Sequence, residues 1–524
     1  MSKTLEDMEF EKYQDGRIIN NYPNRQKMKE LLDSKGKGFC LAKWTQVTMH
    51  LGNGLTHSCH HPAAHKIPVE ELKNNPGALH NTKFKKEKRK EMLNGERPSE
   101  CDFCWRIEDN TGDFSDRVYK SLDHYSVYDH DKIKELTGEE DIFPRYVEIS
   151  FSNVCNLKCA YCGPNFSSKW VEEINQHGVY TFPDGDVFNN DTDRQILGRE
   201  DNPYTEAFWK WFPEAVSHMH TFRITGGEPL LSKHTMKVID YLIANPQPNL
   251  EFAINSNANP PDELWKEFTN KINYVTENKC VKNFTLFTSA EGLGPQQEYA
   301  RFGMDWAQFE QNIDYFLSNT RSTRVAFMSA FNIFSLPTFV EFLQYVLNLK
   351  KKYCTSHFGK WVHDSGVDTS GILKYNNYSE QSDTGWRNRV GIDTPYVRFP
   401  KFLDVNTASM ELINKYLLPA TNFMYQNLQA EEWDVNPGFE TREAAKLRRI
   451  FVDVVCAVKD ARNTDETTSN WNIAKNRAHF YTFVNEYDRR RNTNFLETFP
   501  EYNEFYKICE LEHNKMYPKS DNEV

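Results

Sequence analysis

The stretch SFSNVCNLKCAYCGPNF, residues 150–166, decides the fold of this 524-residue chain. It places Cys155, Cys159 and Cys162 in a C-x3-C-x2-C spacing directly after a β-rich run, so that one loop can wrap a single metal centre. A structural zinc ion is bound by four protein ligands, whereas three thiolates on a four-iron cluster leave one iron without a protein ligand. Because no histidine or fourth cysteine lies close by in the sequence, the spacing favours a four-iron cluster that binds and activates another molecule.

A regular alternation of elements surrounds this loop. Short β-rich runs alternate with amphipathic stretches such as SKHTMKVIDYLIAN (residues 232–245), in which apolar residues recur at three- and four-residue intervals. This alternation is typical of an α/β fold with a parallel sheet. Six strands are predicted, over residues 146–151, 221–225, 250–255, 284–289, 324–332 and 396–399.

A second motif, RITGGEPLL (residues 223–231), follows the second predicted strand. At this motif and at the cysteine loop, where Tyr161 precedes the last cysteine, the chain resembles the radical S-adenosylmethionine (SAM) superfamily. In that family the glycine-rich strand end contacts the methionine amine of SAM. The resemblance implies this role for the four residues of the GGEP turn, which are Gly226, Gly227, Glu228 and Pro229. The residue types suit the task, because glycines permit close backbone approach and a carboxylate pairs with an ammonium group.

The resemblance implies further cofactor contacts near the ends of later strands, at Asn255, Ser289, Glu291, Arg301, Asn332 and Ile333. It also implies a partial (β/α)6 barrel, in which functional groups gather at the carboxyl ends of the strands. In the implied reaction, SAM chelates the open iron of a 4Fe-4S cluster. An electron from an external donor of the flavodoxin or ferredoxin type then cleaves SAM to a 5′-deoxyadenosyl radical, which abstracts a hydrogen atom from the substrate.

Four further cysteines lie before the predicted barrel, at Cys40, Cys59, Cys101 and Cys104. Their thiols can close one structural zinc site, for which four histidines are alternative ligands. These are His57, His60, His61 and His65. The flanking residues, such as GERPSECDFCW (residues 95–105), resemble twitch-domain radical SAM proteins, in which four cysteines hold an auxiliary iron-sulfur cluster. The resemblance implies such a cluster here, as an electron conduit or a structural element, with zinc as the alternative.

Two other features of the sequence are interpreted as structural. The four remaining cysteines stand alone and are expected to be buried small hydrophobic residues. They are Cys280, Cys354, Cys456 and Cys509. The lysine-rich run KFKKEKRK (residues 83–90) is expected to be the solvated face of a helix.

Composition limits the classes of function. The formal net charge of −11 argues against a general nucleic-acid binder. No window approaches the run of about 18 apolar residues that a membrane span needs, and residues 1–16 lack the apolar core of a signal peptide. A cytoplasmic protein without a membrane partner is therefore expected.

The sequence divides into four expected segments. A flexible tail covers residues 1–20, and a twitch-like auxiliary domain covers residues 21–138. The radical SAM core spans residues 139–405, and a helical region covers residues 406–524.

Three functions remain open at this point. The leading prediction is a radical enzyme that modifies a peptide or protein side chain, because auxiliary clusters of this style are typical of peptide maturases in the wider family. The second is radical chemistry on a small molecule, such as a sugar, a nucleotide or a lipid headgroup. The third is a metal-binding scaffold without catalytic activity.

Overall fold

The structure is a computed structural model, and it describes residues 3–13, 16–189, 201–354, 389–429, 437–461 and 472–518. It is a mixed α/β protein with a large parallel sheet and many helices. Within the described residues, no helix is both long enough and apolar enough to cross a bilayer.

The strands are β1 Gln46–His50, β2 Leu55–His57, β3 His65–Lys66, β4 Tyr146–Ser150, β5 Lys158–Cys159, β6 Tyr180–Thr181, β7 Val187–Phe188, β8 Thr221–Thr225, β9 Gln247–Ser256, β10 Val281–Thr288, β11 Arg301–Phe302, β12 Thr323–Met328 and β13 Val390–Asp393. The helices are α1 Tyr22–Lys35, α2 Ala42–Thr45, α3 Val69–Asn74, α4 Lys83–Leu93, α5 Asp102–Asn110, α6 Asp116–Leu122, α7 His130–Ile133, α8 Ser168–His177, α9 Pro203–Ala215, α10 Lys233–Ala244, α11 Asp262–Glu277, α12 Gly294–Ala300, α13 Trp306–Asn319, α14 Phe339–Tyr353, α15 Met410–Leu412, α16 Leu418–Gln426, α17 Thr441–Ala461, α18 Ile473–Arg491, α19 Phe495–Thr498 and α20 Asn503–Met516.

The chain divides into two compact units, each built from segments far apart in the sequence. Unit 1 comprises Met1–Ser152, Gln195–Ala253 and Lys279–Lys282, and unit 2 comprises Asn153–Arg194, Ile254–Asn278 and Asn283–Val524. The segment boundaries expected from the sequence, at residues 138 and 405, do not coincide with these limits.

Unit 1 contains strands in the order β8-β4-β1-β2-β3. Both β1 and β8 pair in parallel with β4, so that Met49 and Ile224 lie opposite Ile149. Strand β2 pairs with β1, and β3 pairs with β2, both in the antiparallel direction. The three opposed side chains are fully buried, and this burial on a pleated surface favours strand formation by apolar residues.

Unit 2 contains the parallel section β10-β12-β13. Leu286 lies opposite Val325 in the first pair of strands, and Phe327 lies opposite Ile392 in the second. A short antiparallel pair, β5 with β11, lies in the same unit and contains Cys159. Helices α18 and α20 pack against each other in this unit.

Five of the six predicted strands overlap β4, β8, β9, β10 and β12. The sixth, predicted at residues 396–399, is wrong. The last described strand is β13, where Val390 and Ile392 are buried beside β12, whereas Phe399 is 74% exposed. Tyr396 makes a single bridge to Phe331. Residues 390–393 form the strand because they are buried beside β12. Strand propensity alone does not make residues 396–399 a strand.

The flexible tail stays a prediction, but its described part, residues 3–13 and 16–20, contains two buried apolar side chains. Phe10 and Ile18 are buried in a hydrophobic cluster that includes Leu31 of α1. The Leu5 amide donates a hydrogen bond to Asp131 Oδ2 at 3.0 Å. Two apolar side chains thus anchor a segment whose overall composition is polar.

The lysine-rich run forms α4, but the expectation of a fully solvated face is wrong for two of its residues. Lys85 and Arg89 are buried. Lys85 Nζ donates to Thr56 Oγ1 at 2.8 Å, and Arg89 Nη1 donates to Asn81 Oδ1 at 2.8 Å. These two cations are buried because polar groups from other segments of unit 1 satisfy them.

Candidate active site

The C-x3-C-x2-C loop lies between β4 and α8, and its cysteines belong to unit 2. The Ser168 amide donates to the Asn153 carbonyl at 2.8 Å, which closes the loop at the start of α8. Ser167 Oγ donates to the Leu157 carbonyl at 2.6 Å and accepts from the Trp170 amide as the helix N-cap. The loop is therefore held by side chains that also begin the following helix.

Each of the three cysteines has a defined backbone position. The Cys155 amide donates to Ser168 Oγ at 3.2 Å, and the Cys162 amide donates to the Cys159 carbonyl at 3.0 Å. The Cys159 carbonyl also accepts from Trp170 Nε1 at 2.9 Å. These bonds hold the three thiols on one ordered loop.

A buried ionic network lies against the loop. Arg301 pairs with Cys159 across β11 and β5, and its Nη1 donates to Cys159 Sγ at 3.6 Å. The guanidinium also binds both oxygens of Glu291, at 2.8 and 3.1 Å. The Tyr161 hydroxyl donates to the same carboxylate, and its ring lies 5.4 Å from the guanidinium. Tyr161, Glu291 and Arg301, which the sequence suggested separately, therefore form one network behind Cys159.

The protonation of the thiols follows from burial. Burial raises the pKa of Cys162 to about 12, and the neighbouring Cys159 thiol adds to this rise. Burial also raises the pKa of Cys159, although the positive charge of Arg301 opposes the rise. Both thiols are therefore neutral near pH 7 until a metal centre displaces their protons.

Helix α18 supplies a contact to this loop that the sequence did not suggest. Arg491 Nη1 donates to the Lys158 carbonyl at 2.8 Å, and Arg491 Nε donates to Glu173 Oε2 of α8 at 2.9 Å. Lys158 Nζ lies 2.7 Å from the same carboxylate oxygen. The last residue of α18 therefore holds the cysteine loop to α8.

The GGEP turn lies directly after β8 in unit 1. Gly226 has φ +128°, and a Cβ there would lie 2.5 Å from Ser150 Oγ and 2.9 Å from the Ser152 carbonyl oxygen. Only glycine fits this position without strain. Glu228 is buried, and its carboxylate accepts from the Leu230 amide at 3.1 Å as the cap of the turn Pro229–Leu231.

The remaining predicted cofactor contacts lie at strand ends of unit 2. Asn255 is the penultimate residue of β9, and Ser289 directly follows β10. Both residues are half-buried. Asn332 and Ile333 are fully buried, and Asn332 Oδ1 accepts from the Phe334 amide at 2.9 Å. The Asn332 side chain therefore caps its own turn.

Asn257, just beyond the end of β9, makes a contact that matters to the loop. Its Nδ2 donates to Asn156 Oδ1 at 2.7 Å, and Asn156 Nδ2 donates to the Asn259 carbonyl at 2.8 Å. Asn156, which lies between Cys155 and Cys159, is thereby tied to the segment after β9.

The four N-terminal cysteines come together in unit 1. All four line one cavity of about 340 Å³, a volume that includes the solvent at its mouth. Burial raises the pKa of Cys101 to about 11, although the buried Lys43 ammonium opposes the rise. A cation beside these sulfurs favours their deprotonated, metal-binding form.

The four histidines considered as alternative ligands have other partners. His57 Nδ1 bonds to the Cys59 carbonyl, and His65 Nε2 bonds to Thr82 Oγ1 at 3.1 Å. His60 and His61 both contact Asp116, at 3.2 and 2.8 Å. Among the described residues, no group of three possible metal ligands with atoms within 4.8 Å of one another includes a cysteine.

The isolated cysteines behave as expected with one exception. Cys280, Cys354 and Cys509 are buried, whereas Cys456 is exposed on α17. The expectation of burial is therefore wrong for Cys456.

No model of a known protein family and no curated protein matches the chain. Solved structures of Streptococcus suis SuiB are similar to parts of it. One of SuiB alone has 16% identity and a TM-score of 0.26, and the match covers 47% of this chain and 47% of SuiB. One of SuiB bound to S-adenosylmethionine has 15% identity and a TM-score of 0.29, over 58% of this chain and 60% of SuiB. One of SuiB bound to its precursor peptide SuiA has 15% identity and a TM-score of 0.25, over 55% of this chain and 56% of SuiB.

Proposed function

We propose that this chain is a radical SAM enzyme in which Cys155, Cys159 and Cys162 hold a 4Fe-4S cluster. The observation that carries the proposal is the single closed loop that presents these three thiols, with Arg301 directed at Cys159 Sγ from 3.6 Å. When bound, such a cluster supplies the electron that cleaves SAM to a 5′-deoxyadenosyl radical.

In this proposal Arg301 and Glu291 act on the cluster through the loop. The guanidinium stabilises the Cys159 thiolate, because a hydrogen bond from a cation favours the charged form of its acceptor. Glu291 holds Arg301 by two hydrogen bonds, and Tyr161 holds Glu291. Outer groups of this kind fix the orientation of metal ligands.

The GGEP turn is the proposed site for the methionine end of SAM. The absence of a side chain at Gly226 lets a ligand approach the backbone after β8 closely, and the position excludes any larger residue. The same turn carries a buried carboxylate, Glu228. Asn255 and Ser289, at the ends of the next two strands, are the proposed contacts to the rest of the cofactor.

The second cysteine group is proposed to hold an auxiliary iron-sulfur cluster. Two ligands bonded to one zinc ion at about 2.3 Å can lie no more than about 4.6 Å apart. The four thiols line one cavity, but no three of their sulfur atoms lie within 4.8 Å of one another. The lack of a compact trio of sulfur atoms supports a multi-iron centre, with one zinc ion as the alternative.

The proposed reaction is abstraction of a hydrogen atom from a peptide or protein side chain. This substrate class is supported by the resemblance of the sequence around Cys101 and Cys104 to twitch-domain proteins. The reaction needs an external one-electron donor of the flavodoxin or ferredoxin type.

The test is reductive cleavage of SAM by the full chain. The protein is reconstituted anaerobically with iron and sulfide, mixed with dithionite and SAM, and 5′-deoxyadenosine is measured by liquid chromatography. We expect product from the wild type and none from Cys159→Ala, because two thiolates cannot hold the cluster. Cys101→Ala should retain at least part of the activity, since it lies in the other cysteine group.

Cys456→Ala is the matched control, because it removes an exposed thiol outside both groups. It should produce as much 5′-deoxyadenosine as the wild type. Absence of the product from wild-type protein that carries its cluster, as judged by iron content and absorption near 400 nm, would reject the proposal.

A further inference from the structure

A histidine pair in unit 1 lies outside both cysteine groups. His124 follows α6, and His220 directly precedes β8. Their Nε2 atoms are 2.8 Å apart, with the two rings nearly perpendicular at 87°. Glu251 of β9 adds a carboxylate whose Oε1 lies 3.8 Å from His220 Nε2. All three ligand atoms lie within 4.8 Å of one another.

We propose that His124, His220 and Glu251 bind a divalent cation of the zinc type. Two imidazoles and one carboxylate are a ligand set that first-row divalent ions accept, and zinc with three protein ligands keeps its fourth position for water. Ligand atoms around a tetrahedral zinc with bonds of about 2.0–2.1 Å are about 3.3 Å apart. The separations here, 2.8 and 3.8 Å, bracket that value. Small side-chain shifts are therefore enough to admit the ion.

Surrounding contacts orient the ligands. Thr221 Oγ1 lies 2.9 Å from His220 Nδ1, which leaves Nε2 as the nitrogen that faces His124. Lys282 Nζ donates to Glu251 Oε1 at 3.1 Å and fixes the carboxylate. The Tyr125 ring stacks on His220 at 5.6 Å. Outer partners of these kinds are typical of metal sites, where they set the tautomer and orientation of each ligand.

The charge of the ligands is compatible with cation binding. Burial lowers the pKa of His124 to about 4, and burial also lowers the pKa of His220. Both rings are therefore neutral near pH 7, as metal binding requires. Lys282 is a competing cation on the same Glu251 oxygen, Oε1. Its charge weakens the site rather than removing it, because a carboxylate oxygen has two lone pairs and the second oxygen adds further acceptor sites.

The position of the site gives it a structural role. The three ligands come from the segment after α6, from the amino end of β8 and from β9, all within unit 1. The GGEP turn lies at the other end of β8. A cation here joins the segment after α6 to two strands of the sheet, at the end of the strands where residues serve stability rather than catalysis.

The test compares the zinc content of full-length variants. Each protein is dialysed anaerobically against Zn2+ and then against metal-free buffer, and bound zinc is measured by mass spectrometry. We expect His220→Gln, His124→Gln and Glu251→Gln each to bind about one zinc fewer per chain than the wild type. Zinc bound by cysteines cancels in this difference, so the outcome does not depend on the proposed function. His218→Gln, an exposed histidine two positions away, should match the wild type.

Cobalt provides a second measurement that distinguishes loss of the site from failure to fold. Co2+ bound by nitrogen and oxygen gives visible absorption without the near-ultraviolet band of thiolate-bound cobalt. We expect Glu251→Gln to lose this visible component while keeping a Tm close to that of the metal-free wild type. Equal zinc content in the wild type and the three site variants, or an equal loss in His218→Gln, would overturn the proposal.

Discussion

Gly226 shows how much a single residue can decide in this protein. Its φ of +128° lies in a region that side chains disfavour, and a methyl group there would contact Ser150 Oγ and the Ser152 backbone. Gly185, in the turn between β6 and β7, has φ +86°, but no atom lies within 4 Å of the point that a Cβ would occupy there. Both glycines have a positive φ, but only Gly226 has other atoms close to the position that a Cβ would occupy.

We predict that Gly226→Ala lowers stability by about 2–4 kcal/mol, from backbone strain and overpacking together. Gly185→Ala should cost only about 1 kcal/mol, because strain acts there alone. The measurement is the urea midpoint of unfolding, with SAM binding by the folded variants as a second readout. SAM binding should weaken at least tenfold for Gly226→Ala only. Equal midpoints for the two variants would contradict the steric explanation.

At the scale of elements, α18 stabilises the cysteine loop. Arg491 is fully buried and joins the Lys158 carbonyl to Glu173 of α8. The helix also ends at this residue, where a cation interacts favourably with the carboxyl end of a helix. The C-terminal helical region, whose role the sequence left undefined, therefore contacts the cysteine loop directly.

We predict that Arg491→Met destabilises the chain by about 2–4 kcal/mol, because it leaves the buried Glu173 carboxylate with Lys158 as its remaining cation. The reconstituted variant should also lose iron to a chelator several times faster than the wild type. Arg489→Met is the control, since Arg489 is exposed on the same helix and pairs with Glu486. It should unfold at the same urea concentration as the wild type, because exposed ion pairs contribute little to stability. Iron loss at the wild-type rate from Arg491→Met would show that the loop does not depend on this contact.

At the scale of the whole molecule, both compact units need segments from outside residues 139–405. Unit 1 includes β1, which pairs with β4 in parallel. Unit 2 includes α17, where Glu443 lies 3.1 Å from the buried Lys350 ammonium of α14. A fragment limited to residues 139–405 exposes one edge of β4 and leaves Lys350 without this carboxylate.

We predict that the fragment 139–405 aggregates when it is expressed alone. An unpaired strand edge promotes association between chains, and a buried charge without its partner is strongly destabilising. The measurement is size-exclusion chromatography of the soluble fraction, with the full chain expressed in parallel as the control. A soluble, monomeric fragment with the far-ultraviolet circular dichroism of a folded α/β protein would contradict this expectation.

The sequence determined the local features of this protein. Three cysteines within eight positions must lie on one loop, because the reach of so short a segment is limited. Two successive glycines after a strand allow neighbouring atoms to approach the backbone closely, because glycine has no side chain. Five of the six predicted strands are found for a similar reason, since their apolar patterning depends on neighbouring residues.

Only the tertiary structure decided which distant groups meet. Arg301 reaches Cys159, Arg491 reaches Lys158, and His124 reaches His220, across separations that no local pattern encodes. Lys85 is another example, because the composition of its run predicts a solvated face, but the side chain is buried against the distant Thr56. A buried charge or polar side chain is stable only where a partner is present, and the identity of that partner is set by packing of the whole unit.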